Sequence, residues 1–125
     1  MLRLPSLGEL DQGLRVRVFL CTSRTDMRKG FDTLAALVRD GLGYDPLSGH
    51  LFLFVGCRRD RIKILYWDRD GYALWYKRLE KGTFRMPVAK DGATHVELKA
   101  SELAMLLEGI DLRSIKRRKR FRRPA

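Results

Sequence analysis

A chain of 125 residues holds about one domain, with 45% hydrophobic residues for one core, 33% charged residues for a wet surface and a formal charge of +11. Its apolar runs fall far short of the roughly 20 residues that span a bilayer, and the opening stretch MLRLPSLGELDQG lacks the apolar segment of a signal peptide. Two cysteines, Cys21 and Cys57, exclude a disulfide-dense secreted scaffold, so the expectation is a small cytoplasmic protein with reduced thiols and no membrane partner.

Residues 1–13 read as an N-terminal extension, 14–112 as one folded domain and 113–125 as a basic flexible tail. From Leu14 to Leu20, Arg15 and Arg17 alternate with Val16 and Val18, which predicts a strand with one wet face. Phe31, Leu34, Ala35 and Val38 then repeat at helical spacing, with Thr25 or Asp26 as candidate caps and Gly41 and Gly43 as candidate stops. Asp45-Pro46-Leu47-Ser48-Gly49 is turn chemistry. Beyond it the period becomes two. Leu51 to Val55, Ile62 to Trp67 and Tyr72 to Leu79 are short runs rich in β-branched and aromatic residues, joined by hairpin-length intervals of which the second ends in Asp70-Gly71. Thr94 to Leu98 adds a further strand. Ser101 is placed to cap a last helix with Leu103, Leu106, Leu107 and Ile110 on one face, ending near Gly109.

The order strand, helix, three or four strands, helix predicts the α+β class: a single small domain with an antiparallel sheet of four to five strands and two helices packed on one side. An open sheet and a partly closed barrel both fit this pattern. The tail RSIKRRKRFRRPA holds eight Lys/Arg and no acid, leaving 18 basic against 15 acidic residues in 1–112. Such a block repels itself and builds no core; its expected partner is a polyanion, with DNA the default. Eight phosphate contacts at about −0.9 each would give a salt slope near roughly −7, without sequence readout.

The candidate DNA-binding residues are therefore Arg113, Lys116, Arg117, Arg118, Lys119, Arg120, Arg122 and Arg123 of the tail, and Arg58, Arg59 and Arg61 around the first hairpin turn, where Lys63 completes a second basic group. Arg24, Arg28 and Lys29 precede the first helix. Arg28, Lys29 and the N–H groups near Gly30 are a candidate phosphate site, unless Asp26 and Asp32 neutralise the cations internally. Phe52, Phe54, Tyr66, Trp67, Tyr72, Trp75 and Tyr76 read as core aromatics in preference to a base-stacking platform.

Catalytic patterns are weak. Asp60, Asp68 and Asp70 are near one another, as a metal nuclease would need, but Asp68 and Asp70 sit where a turn wants aspartate. His50 and His95 lie in no nucleophile signature, and with Cys21 and Cys57 they lack the close ligand pairs of a zinc site. The expectation is no enzyme, no metal and no cofactor.

Several linked stretches carry a more specific likeness: Thr25-Asp26-Met27-Arg28-Lys29-Gly30-Phe31-Asp32, Leu34-Ala35-Ala36-Leu37-Val38 and Asp45-Pro46-Leu47-Ser48-Gly49-His50-Leu51-Phe52. They continue through Lys63-Ile64-Leu65-Tyr66-Trp67-Asp68, Lys77-Arg78-Leu79-Glu80-Lys81-Gly82 and Leu103-Ala104-Met105-Leu106-Leu107-Glu108-Gly109-Ile110-Asp111. In this order they resemble the TnpB-type accessory protein of insertion-sequence-66 transposons, over about residues 15–112. The resemblance implies a bacterial accessory factor of transposition, encoded beside and distinct from a DDE-type transposase. It transfers no catalytic or binding residue. Joined to the basic tail, it predicts a non-catalytic DNA-binding partner of the transposase that contacts element ends and a candidate second copy of itself. The alternative is a protein–protein adaptor that binds the transposase without DNA affinity of its own.

Overall fold

The computed structural model describes residues 16–108 of the chain. The tail, the N-terminal extension and the positions of Gly109 and Ile110 lie outside the described residues. Five strands form one sheet in the order β4-β3-β2-β1-β5. They are β1 (Val18–Cys21), β2 (Leu51–Val55), β3 (Arg61–Asp68), β4 (Gly71–Arg78) and β5 (His95–Leu98). Helix α1 (Phe31–Ala36) runs on into a π-helical segment (Leu37–Leu42), and α2 (Ala100–Glu108) follows β5. The expected α+β class holds, and the sheet is open, with β4 and β5 at its edges.

Each junction has a local cause. Gly43 adopts the left-handed conformation (φ 77°) that closes the widened helix, where its N–H reaches the Val38 carbonyl. Asp45 accepts from the N–H of Leu47 through its side chain (2.9 Å) and from that of Ser48 through its carbonyl (3.1 Å), which folds the turn into β2. Neither Thr25 nor Asp26 caps α1. Its N-cap is Gly30, with no side-chain cap bond, because both candidates are spent on the preceding turn. Ser101 lies within α2; the cap position is Lys99, whose N–H donates to Glu102 Oε1 (2.9 Å) while its carbonyl accepts from Leu103 (3.0 Å).

Two features differ from the sequence expectation. β1 and β2 are parallel, Val18 opposite Leu51, because α1 carries the chain back across the sheet before β2 begins; the other three pairings are antiparallel. The helices also lie on opposite faces, not on one side. Leu34 and Ala35 of α1, with Val38 and Leu42 of the π-helical segment, pack with Phe19, Phe52, Phe54 and Leu65. On the other face Leu103 and Leu106 of α2, with Phe84, cover Val18, Leu20, Leu51, Leu53, Ile62 and Ile64. The sheet is therefore the middle of three layers, and all five residues of β2 are buried. Each fully buried Leu, Ile or Phe contributes about 1.5–3 kcal/mol, so these two half-cores dominate the stability. Phe31, expected on the buried face of α1, is 45% exposed because it begins the helix outside the sheet's cover.

Candidate nucleic-acid interface

The two basic groups that the sequence holds 30 or more residues apart meet at one end of the sheet. Arg24 and Arg28, from the β1–α1 connection, and Arg58 and Arg61, from the β2–β3 hairpin, line one groove of about 650 Å³ together with Asp26, Met27, Cys57 and Asp60. The first wall is fixed by Thr25, a buried residue whose N–H donates to the Val55 carbonyl at the end of β2 (2.9 Å). Arg24 Nη1 donates to the Cys57 carbonyl (3.4 Å), which ties the two walls together.

The second wall is held as firmly. Gly56 donates to the Arg61 carbonyl (3.1 Å) and accepts from Arg59 (2.9 Å), and Arg59 takes the left-handed conformation (φ 60°). Carbonyls of Arg59 and Asp60 accept from Phe84 (2.7 Å) and Leu79 (2.7 Å), so the segment after β4 braces the turn from outside. Gly56 is required by packing: a Cβ there would stand 2.8 Å from Met27 Cγ. Arg58 and Arg59 are exposed at the tip of this braced loop.

Charge in the groove is unequal. Asp26 closes a turn by accepting from the Arg28 N–H (2.9 Å), and its carboxylate holds the Arg28 guanidinium at 2.8–3.1 Å. Hydrogen bonds from Arg28, with its charge, hold the Asp26 carboxyl well below the usual carboxylate range. Arg28 thus spends its charge internally while remaining 91% exposed. Among the guanidiniums of the groove, those of Arg24, Arg58 and Arg61 make no ion pair among the described residues. Arg61 Nη1 donates to the Tyr76 hydroxyl (3.3 Å).

Lys63, expected to join Arg58, Arg59 and Arg61 in one basic group, is instead 7% exposed and structural. Its Nζ donates to the Lys29 carbonyl (2.8 Å) and sits 4.8 Å from the centre of the Tyr76 ring, pinning the entry of α1 to the sheet. Of the candidate trio Arg28, Lys29 and Gly30, the Arg28 guanidinium is paired with Asp26, and the N–H groups of Arg28 and Lys29 donate to the Asp26 carboxylate (2.9 Å) and carbonyl (3.1 Å). Arg59 does not line this groove; it lines a second one with Cys21, Arg24, Val55, Met86 and Val96. The tail cations Arg113 to Arg123 lie outside the described residues.

The other chemistry-bearing residues have local partners. His95 Nε2 is 3.1 Å from the Tyr44 hydroxyl and its Nδ1 2.8 Å from Thr94 Oγ1. His50 Nδ1 accepts from the Arg17 N–H (3.0 Å), and burial pushes its pKa down. Burial pushes the Cys21 thiol up, and Cys57 is an exposed thiol at the groove. Among the described residues no three His, Cys, Asp or Glu side chains come together as a metal site, and no helix is long and apolar enough to cross a membrane. Of the meander aromatics, Phe52, Phe54 and Tyr66 are buried, and Tyr76 is 48% exposed.

Residues 16–117 match the family model described as IS66 Orf2 like protein. The chain belongs to this family. An uncharacterized protein of Sinorhizobium fredii, y4hO, is 41% identical over 104 residues, which cover 83% of this chain and 89% of the relative. A second from the same organism, y4jC, is 40% identical over 108 residues, covering 86% and 89%. No solved structure matches. Membership in the IS66 Orf2-like family makes this an insertion-sequence accessory protein. The arginine groove lies entirely within the span shared with the family model.

What sequence reading missed is the meeting of two basic groups. The signal was present in part: Gly56, buried between them, is the residue that lets Met27 close the gap.

Proposed function

We propose that this IS66 Orf2-like protein is a non-catalytic, cytoplasmic accessory factor of bacterial DNA transposition that grips DNA through backbone phosphates and works with a separately encoded transposase. The observation that carries the reading is the convergence of Arg24 and Arg58 on one braced groove, both without an ion-pair partner among the described residues. Guanidiniums on rigid loops bind phosphate oxygens with a fixed fork and little loss of side-chain freedom. The eight tail cations add a long-range, salt-sensitive attraction. In this division the tail raises the encounter rate and the groove sets the position of the protein on the duplex.

Fluorescence anisotropy at several salt concentrations tests the reading. Full-length protein, a chain ending at Asp111 and the Arg24→Ala/Arg58→Ala variant are titrated with element-end duplex and a scrambled duplex. Salt-steep binding, weakened by either change, is expected. No affinity of any form for either duplex overturns it.

A second reading is favoured by the exposed apolar side chains Phe31, Leu47, Tyr76 and Val88. It makes the protein an adaptor that holds the transposase, or a second copy, without contacting DNA. Retention of transposase by a chain that shows no DNA affinity is its signature.

A further inference from the structure

The two sheet edges are unlike. β5 offers four residues, and its Glu97 is tied to Arg17, just before β1, by two hydrogen bonds (2.6 and 3.0 Å). β4 offers eight, Gly-Tyr-Ala-Leu-Trp-Tyr-Lys-Arg, with no proline, no bulge in its pairing and no strand beyond it among the described residues. A long, regular, unprotected edge of this kind pairs with another strand unless something blocks it.

The geometry of β4 says which groups are on offer. Its register with β3 runs from Asp68 opposite Gly71 to Arg61 opposite Arg78, and Leu79 extends it by donating to the Asp60 carbonyl. In an antiparallel ladder, alternate residues bond to the neighbour. Gly71, Ala73, Trp75, Lys77 and Leu79 thus turn their N–H and C=O groups toward β3, while Tyr72, Leu74, Tyr76 and Arg78 turn theirs to the open edge.

We propose that the β4 edge joins a second copy of this chain, antiparallel and centred on Leu74, into one continuous ten-stranded sheet. Outward groups must face outward groups, so only registers that shift by two residues are allowed. In the register centred on Leu74, Leu74 meets its own copy and Tyr72 meets Tyr76 on one face. Ala73 meets Trp75 on the other, a small residue under a large one. At both ends Arg78, which within its own chain pairs with Glu80 (3.1 Å), meets Asp70 of the β3–β4 turn, opposite charges, and no like charges oppose one another from residue 70 to residue 78. The register centred on Trp75 instead sets two Trp75 side chains against each other, leaves Ala73 opposite Lys77 and forms no acid–base pair. The charge pattern and the small–large match thus select one register of one occupant. This inference concerns assembly and stands whether or not the protein binds DNA.

Sedimentation velocity of nuclease-treated full-length protein over a range of concentrations reads the association. A reversible dimer is expected. Arg78→Glu places two carboxylates together at each end and raises the dimer Kd at least tenfold, and adding Asp70→Lys to it restores association. Register is read by mild oxidation in a Cys21→Ser/Cys57→Ser background, where Leu74→Cys gives a disulfide-linked dimer and Trp75→Cys does not. Circular dichroism confirms that each variant is folded; if Leu74→Cys is not, the charge reversal and its rescue decide alone. A monomer at every concentration, a dimer indifferent to Arg78→Glu, or crosslinking from Trp75→Cys in place of Leu74→Cys overturns the proposal.

Discussion

Two hairpin turns of this protein carry the same dipeptide and use it differently. Arg59-Asp60 lies between β2 and β3, Arg69-Asp70 lies between β3 and β4, and in both the arginine takes φ 60°. The second turn is a local affair: Asp70 donates to the Asp68 carbonyl (2.6 Å), and the loop is two residues long. The first is a tertiary object, braced by Leu79 and Phe84 from beyond β4 and packed through Gly56 on Met27. The same dipeptide sets Asp60 in a groove wall in one place and leaves Asp70 at an exposed tip in the other. What holds the backbone, and not the side chain alone, decides where the same residue types are presented.

The largest contrast is expected from glycine. Gly56→Ala drives a methyl to 2.8 Å from Met27 Cγ, and overpacking of this kind costs about 1–3 kcal/mol, toward the low end because methionine adapts. Gly71→Ala meets nothing within 4 Å, and its effect stays within about 1 kcal/mol. Urea denaturation of the two variants reads the difference. Equal destabilisation would mean that the first turn is no more tightly held than the second.

Arginine removal sharpens the comparison for binding. Arg58→Ala lowers DNA affinity by about 1 kcal/mol and reduces the salt slope by about 0.9, as loss of one phosphate contact should. Arg69→Ala, on the local turn, leaves both within error. Anisotropy titrations at several salt concentrations compare them, and equal losses would assign the effect to net charge alone.

A smaller effect comes from backbone strain. A non-glycine residue in the left-handed region carries about 1 kcal/mol of strain, partly offset by the freer unfolded chain that glycine brings. Arg69→Gly therefore raises stability slightly. Arg59→Gly does the same for the backbone while loosening the braced loop, and thermal melts separate the two.

The last prediction concerns acid. Asp26 has a folded-state pKa below its unfolded value, so the unfolded chain takes up the proton first as pH falls. Its contribution to stability is full above about pH 4 and fades as pH drops through the folded value. Asp26→Asn removes that dependence and flattens the acid limb of a stability–pH curve measured by urea denaturation. An unchanged acid limb would show that the exposed Arg28 pairing contributes nothing in solution.

Most elements were legible in the sequence. The period-two runs at 51–55, 62–67 and 72–79 became β2, β3 and β4 within a residue or so, and the face with Leu34, Ala35 and Val38 became the buried side of α1 and the π-helical segment. Sequence reading failed where burial alone was informative and direction was not. Leu51 to Val55 is apolar at every position, the pattern of a strand covered on both faces, yet periodicity does not say which helix covers which face. Thr25 and Asp26 have the chemistry of caps, but the Asp26 carboxylate accepts from Arg28 and the Thr25 hydroxyl donates to the Ser23 carbonyl. The basic groups at 24–29 and 58–61 were each visible, and nothing local indicated that they share a groove.

The sequence by itself determined that this is one small α+β domain with a basic tail, and its linked motifs determined its family, because hydrophobic period, turn residues and charge blocks are local properties of a chain. Only the tertiary structure decided that β1 and β2 run parallel, that the helices sandwich the sheet and that Arg24, Arg28, Arg58 and Arg61 face one another. Those facts depend on where a crossover helix lands and on which distant backbone groups find each other, and a one-dimensional pattern carries neither.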